Sequence, residues 1–238
     1  MKREREEDDS DSTAMPPPST PPPSTPDKFP PPSAYGETVQ IKVGTDRTKT
    51  FTVHKSILTF YSGYFAAAFR HGNAFQEAET GLFNLPDEDV RTFEKFVCWL
   101  YSRRIDLIAS DSSFFVLSRL WVLGDRRQVP LLMNECINMF RDMIVRMWKI
   151  PTACLPLIYE NTMDSSALRQ FALDIIAKTG TAKFLKEGNE SFVKEALIDI
   201  LKIVWQDDHK RWAKHDVEKL QLCPQYHVHE EGVTCKKE

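Results

Sequence analysis

Between Val39 and Val53 the chain alternates apolar and polar residues, and from His54 onward that period changes. Val39, Ile41 and Val43 are separated by Gln40 and Lys42, the two-residue repeat of a strand with one buried face. Gly44-Thr-Asp-Arg47 supplies turn chemistry, and Phe51 and Val53 resume the alternation, so the segment reads as a hairpin. His54 to Phe60 and Ser62 to Arg70 then take helical spacing, with Phe65, Ala68 and Phe69 on one face and Ser62 placed to cap. A chain that spends its alternation on one hairpin and then turns helical is confined to an α+β fold, a small sheet surrounded by helices.

The rest of the sequence continues that pattern. Leu82-Phe-Asn-Leu85 reads as a third short strand. Pro86-Asp-Glu-Asp89 is expected to open a strong helix, because proline and acids suit a first turn. Its apolar face reads Val90, Phe93, Val97 and Leu100, widened by Phe96, Trp99 and Tyr101. From Asp111 everything reads helical. One helix carries Phe114, Leu117 and Trp121 and is expected to close near Gly124. The next starts at Pro130 and buries Leu132, Cys136, Met139, Phe140, Met143 and Met147, and Pro151 breaks the chain after it. Ser165 is placed to cap a helix with Leu168, Phe171, Ala172, Ile175 and Ile176, ended by Gly180. A last long helix is expected from near Asn189, carrying Phe192, Leu197, Ile200, Leu201 and Val204 and turning strongly polar beyond Trp205. No period of repeat length argues for a solenoid.

Residues 1–34 lack the apolar side chains that offset ordering entropy, and ten of the fifteen prolines lie there, so this segment reads as a disordered Pro-rich tail. Order is expected to begin at Thr38. Thr20-Pro21 and Thr25-Pro26 are acceptable to a phosphate, and Pro18-Ser-Thr-Pro21 to an aromatic groove; the plainer reading is a passive tail. A net charge of −3 leaves no excess of positive charge for a phosphate backbone, and the pairs Arg103-Arg104 and Arg126-Arg127 stand isolated, so nucleic-acid binding finds no support. The longest apolar run, around Phe114 to Gly124, contains Arg119 and is too short for a bilayer. The mixed-charge start carries no apolar signal stretch, and five scattered cysteines suit reduced thiols. An intracellular protein, of cytoplasm or nucleus, is the expectation.

The residues themselves resemble a known family. Val39-Gln-Ile-Lys-Val-Gly44 followed by Phe51-Thr-Val-His-Lys-Ser-Ile-Leu58 looks like the opening of a BTB/POZ domain. Ser62-Gly-Tyr-Phe65, Ala67-Ala-Phe69, Leu85-Pro86 and Phe96-Val-Cys-Trp-Leu-Tyr101 continue the resemblance in the family's order. The nearest likeness is to the small BTB proteins of filamentous fungi, which end in a helical region without a familiar second domain. The resemblance implies four segments: the tail over 1–34, a BTB/POZ domain over 35–125, an all-helical extension over 126–215, and a Cys/His-containing tail over 216–238.

It also implies protein partners. BTB domains pair with each other, and some bind the N-terminal helices of a cullin-type ubiquitin-ligase scaffold. The family's cullin-contact pattern is a hydrophobic residue, any residue, then Glu, shortly after the Phe of the second short helix. Phe75-Gln-Glu77, following Phe69, fits that pattern and position. Phe75 is then expected to enter an apolar cleft on the partner and Glu77 to fix the rim; the alternative is a loop in which Phe75 packs on its own domain. Many dimers in the family carry an acidic residue just before the first strand's Val. Thr38 holds that place here, with Glu37 one position earlier, so a homodimer is an expectation without its usual charged pocket.

One further cluster stands apart. Cys223, His227, His229 and Cys235 form Cys-x3-His-x-His-x5-Cys, two thiolates and two imidazoles that zinc accepts tetrahedrally. The spacing differs from a standard zinc finger, and the alternative is a frayed tail in which these residues cluster by chance. Four protein ligands leave no open position, so the expected role is structural zinc. No Gly-rich phosphate loop, nucleophile elbow or His-Glu-x-x-His is present, and His54 has no partner spaced for a triad. Asp207-Asp208 reads as solvated charge. The function expected is that of an interaction module, a substrate adaptor for a cullin-type ligase, with a BTB scaffold in transcriptional or signalling complexes as the alternative.

Overall fold

The computed structural model describes residues 29–70, 82–107, 111–181, 192–206, 208–223, 225–229 and 235. The proline run over 16–26, with both Thr-Pro sites, lies outside the described residues, as do Phe75 and Glu77.

The hairpin forms where alternation placed it. Strands β1 (Thr38–Val43) and β2 (Lys49–His54) pair antiparallel, with Val39 opposite Val53 and Ile41 opposite Phe51. Val39, Ile41, Val43 and Val53 are all buried, while Gln40, Lys42 and Thr52 face outward. Gly44 leaves β1 at φ +86°, a backbone that favours glycine, and its N–H donates to Leu85 O at 3.0 Å. The chain next forms α1 (Lys55–Tyr61) and α2 (Gly63–Arg70), then returns as β3 (Leu82–Leu85), parallel to β1 with Ile41 beside Phe83. The sheet order is β2-β1-β3. Ser62, buried between α1 and α2, accepts from the Phe65 N–H at 3.2 Å, the cap its position promised.

Order reaches further back than Thr38. Pro32–Ala34 form a 3-10 turn with Ala34 buried, and Pro31 to Ala34 border α1 residues Ser56, Thr59 and Phe60.

Helix α3 spans Val90–Ser102 and starts later than Pro86 suggested. The reason is a better cap: Asp89 Oδ1 accepts from the Thr92 N–H at 2.9 Å and from the Thr92 hydroxyl at 2.8 Å. Its inner face is Phe93, Phe96, Trp99 and Leu100, with Val97 half-buried and Tyr101 exposed, a narrower stripe than expected. Phe93 meets Phe51 at 5.1 Å between ring centres, which seats α3 against the hairpin. Each such fully buried side chain contributes about 1.5–3 kcal/mol against exposure.

Helix α4 (Asp111–Arg126) runs through Gly124 instead of closing there. A Cβ at Gly124 would lie 2.9 Å from Met133 Cγ, so the glycine permits close approach of α5 (Pro130–Met147) and is no terminator. Helix α5 buries Leu132, Cys136, Phe140 and Met143 as expected, with Ile137 and Ile144, but leaves Met139 and Met147 half-buried.

After Pro151 a 3-10 turn leads into α6 (Leu155–Asn161), which the sequence reading passed over. Helix α7 (Ala167–Thr179) is capped by Ser166, one residue after Ser165, whose Oγ accepts from the Arg169 N–H at 3.3 Å. Helix α8 (Lys194–Val204) buries Ala196 yet turns Ile198, Leu201, Val204 and Trp205 outward. Periodicity identified an apolar face there; it could not say whether anything covers it. Short α9 (Lys214–Glu218) then leads to the C-terminal segment. One core cluster runs from Ala34 to Tyr226 and joins the sheet to the helical half. Among the described residues no helix is long and apolar enough to cross a membrane.

Candidate functional site

Two places carry residues singled out by sequence. The first is the surface around the sheet. Its α2–β3 connection, which contains Phe75 and Glu77, leaves and re-enters the fold on an aromatic platform. Phe69 at the end of α2 meets Phe83 of β3 at 5.0 Å between ring centres, and Phe65 meets Phe83 at 5.5 Å. Phe69 and Phe83, which flank the connection, are therefore held together by packing.

His54 takes the scaffold role. It ends β2 and stands at the N-terminus of α1, where its Nδ1 accepts from the Tyr101 hydroxyl at 2.9 Å and its ring meets Tyr35 edge-on at 5.6 Å. Glu37, before Thr38, makes an ion pair with Lys55 Nζ at 3.1 Å, and its carbonyl accepts from the Lys55 N–H at 2.8 Å. The acidic side chain nearest the first strand thus serves the strand–helix junction.

The second place is the C-terminal segment, where the structure brings together all four residues of the Cys/His set. The ligand-type atoms of Cys223, His227, His229 and Cys235 lie within 4.8 Å of one another. His229 Nε2 is 3.3 Å from Cys223 Sγ and 3.5 Å from Cys235 Sγ, and His227 Nδ1 is 3.1 Å from Cys235 Sγ. The Cys235 N–H points at Cys223 Sγ at 3.4 Å. Burial first, then the nearby His229 and Arg141 charges, push the His227 imidazole down to about 4, and burial lowers His229 as well. Burial and the adjoining Cys223 push the Cys235 thiol up.

What brings these residues together is a set of side chains that sequence reasoning missed. Asn134 on α5 holds Val228 at both backbone groups, accepting from its N–H at 2.6 Å and donating to its carbonyl at 2.9 Å. One turn later Asn138 Oδ1 accepts from His227 Nε2 at 3.1 Å, which leaves Nδ1 as the free nitrogen facing the cluster. On α7, Asp174 accepts from the buried Tyr226 hydroxyl at 2.8 Å and from Gln225 Nε2 at 3.2 Å. Tyr226 in turn meets Phe171 edge-on at 5.4 Å. The available signal was two asparagines four apart, Asn134 among the apolar residues of α5 and Asn138 one turn on, since buried amides need partners.

The architecture is a small mixed sheet with a helical pair between its second and third strands and helices stacked beyond it. Residues 36–144 match the family model of the BTB/POZ domain. The chain carries a BTB/POZ domain, a protein–protein interaction module, and the match takes in α4 and most of α5. A comparison with curated proteins finds no match for the chain.

Proposed function

We propose that the protein is an adaptor that holds a cullin-type scaffold through its BTB domain while its helical half offers a second surface to a client. The observation that supports this reading is the place of Phe75-Gln-Glu77 between α2 and β3, in a connection flanked by Phe69 and Phe83, which pack together. A rigid platform lowers the ordering cost of presenting an anchor, and a buried aromatic anchor is the residue type that carries binding energy. Helix α8 adds an outward apolar ridge of Ile198, Leu201, Val204 and Trp205 on the helical half, away from the sheet in sequence. A pull-down with cullin tests the reading: wild type is retained, and Phe75→Ala and Glu77→Ala lose capture. Equal capture of all three removes it.

A second reading is a scaffold that assembles with itself or another BTB chain without any ligase. It is favoured by Glu37, which lies next to the position of the family's acidic residue and keeps two thirds of its side chain exposed while paired to Lys55. Light scattering on the full chain distinguishes monomer from dimer.

A further inference from the structure

The C-terminal segment gathers four side chains of metal-ligand type, Cys223, His227, His229 and Cys235, with their donor atoms within 4.8 Å of one another. In a tetrahedral zinc site, bonds of about 2.3 Å to sulfur and about 2.0–2.1 Å to nitrogen put neighbouring ligand atoms roughly 3.3–3.8 Å apart. The three sulfur–nitrogen distances here, 3.1, 3.3 and 3.5 Å, sit at or just below that edge length. Two sulfurs and two imidazole nitrogens are the donor set of a structural site for this ion. Among the described residues no carboxylate joins the set, and two thiols with two imidazoles suit a borderline-soft ion better than calcium or magnesium.

The surroundings carry the features of a ligand shell. His227 is fixed in the tautomer a ligand needs, because Asn138 Oδ1 occupies its Nε2–H and turns Nδ1 inward. The Cys235 N–H donates toward Cys223 Sγ, an arrangement that favours a thiolate. Asn134, Asp174 and Phe171 hold the intervening backbone and Tyr226 on two helices, so the four donors are placed by packing as well as by each other.

We propose that Cys223, His227, His229 and Cys235 bind one structural zinc ion, which fastens the C-terminal segment across α5 and α7. Each cysteine releases its thiol proton to solvent on binding and each imidazole binds neutral, so two thiolates cancel the charge of the ion. All four positions are filled by protein, which leaves none for a substrate or an activated water. The consequence is mechanical. Helix α5 closes the BTB match and α7 belongs to the helical half, so the ion ties the interaction domain to the part of the chain that follows it.

The test uses the full chain, purified without a histidine tag, with metal content read by elemental mass spectrometry. The expected result is one zinc per chain, lost in Cys223→Ser and Cys235→Ser and kept in Cys98→Ser, whose thiol is exposed elsewhere. Asn138→Ala keeps the stoichiometry but weakens zinc about 10–100-fold in competition with a chromophoric chelator. Cobalt added to metal-free wild type is expected to give the visible bands of a tetrahedral thiolate site, a readout that needs no variant to fold. Wild type that holds no zinc and gives no such bands overturns the proposal. So does zinc retained in both cysteine variants, or a Cys223–Cys235 disulfide in place of metal in freshly purified protein.

Discussion

The Tyr101 hydroxyl accepts from the His54 backbone N–H at 3.1 Å and donates to His54 Nδ1 at 2.9 Å. One side chain from the end of α3 thus satisfies both the first backbone donor and the ring of the residue where β2 becomes α1. Tyr101→Phe removes both bonds and keeps the ring. The expected cost is about 1–3 kcal/mol, since each of the two bonds contributes roughly 0.5–1.5 kcal/mol net. Chemical denaturation measures it, and hydrogen exchange should quicken at His54 ahead of the amides of β1.

Asp89 gives a pH signature. Burial raises its carboxyl, but the hydrogen bonds from Thr92 and the charges of Arg119 and Arg91 outweigh that and hold it below its usual value. A carboxylate depressed in the fold stabilises above its unfolded value of about 3.9 and loses that contribution as pH falls through the lower folded value. Asp89→Ala should cost about 1 kcal/mol at neutral pH, the usual worth of an N-cap. The gap between variant and wild type should begin to narrow near about pH 4 and go on narrowing as pH falls through the lower folded value of Asp89. Urea melts across that range decide it.

Arg103 ends α3 with its side chain buried between Trp99, 3.9 Å from guanidinium to ring, and Tyr61 at 4.9 Å. Burial works against its charge, and Glu135 of α5 works for it. Glu135 accepts from both the guanidinium and the Trp99 indole N–H. Glu135→Ala leaves a buried cation and an indole without that acceptor. The expected loss is about 3 kcal/mol, the low end for a broken buried pair, because Glu135 keeps some solvent contact. Glu135→Gln should recover part of it. A thermal melt indifferent to Glu135→Ala would contradict this account of the α3–α5 contact.

Asp174, on α7, should hold the C-terminal segment through direct hydrogen bonds to Gln225 and Tyr226. It is buried and serves Tyr226, Gln225, Gln170 and Lys178 together. Asp174→Ala strands the buried Tyr226 hydroxyl at about 1–3 kcal/mol. Exchange should speed up at Leu222 to His229 while β1 and β2 stay protected.

The sheet was legible because its signal is local. Burial on one side of β1 forces the period of Val39, Ile41 and Val43, and no distant residue is needed to read it. Helix boundaries were less so, because competing local signals are settled by geometry: Pro86 suggested a start that Asp89 took, and Gly124 suggested an end that contact with Met133 explains otherwise. Helix α6 escaped notice behind Pro151, which read as a break, although Pro156 falls in its first turn, where a proline fits. The Cys/His set was visible as composition only. Its irregular spacing becomes a compact cluster through Asn134, Asn138 and Asp174, which lie far away in sequence. The roles proposed for Phe75 and Glu77 come from the Phe75-Gln-Glu77 pattern and its place in the chain between Phe69 and Phe83.

Calorimetric titration of the purified chain with the purified N-terminal helices of a cullin tests the central claim most directly. The account predicts saturable binding that Phe75→Ala weakens by about 2 kcal/mol or more, roughly thirtyfold, as for an anchor in an apolar cleft. Absence of binding by wild type, or equal affinity in wild type and Phe75→Ala, would contradict it.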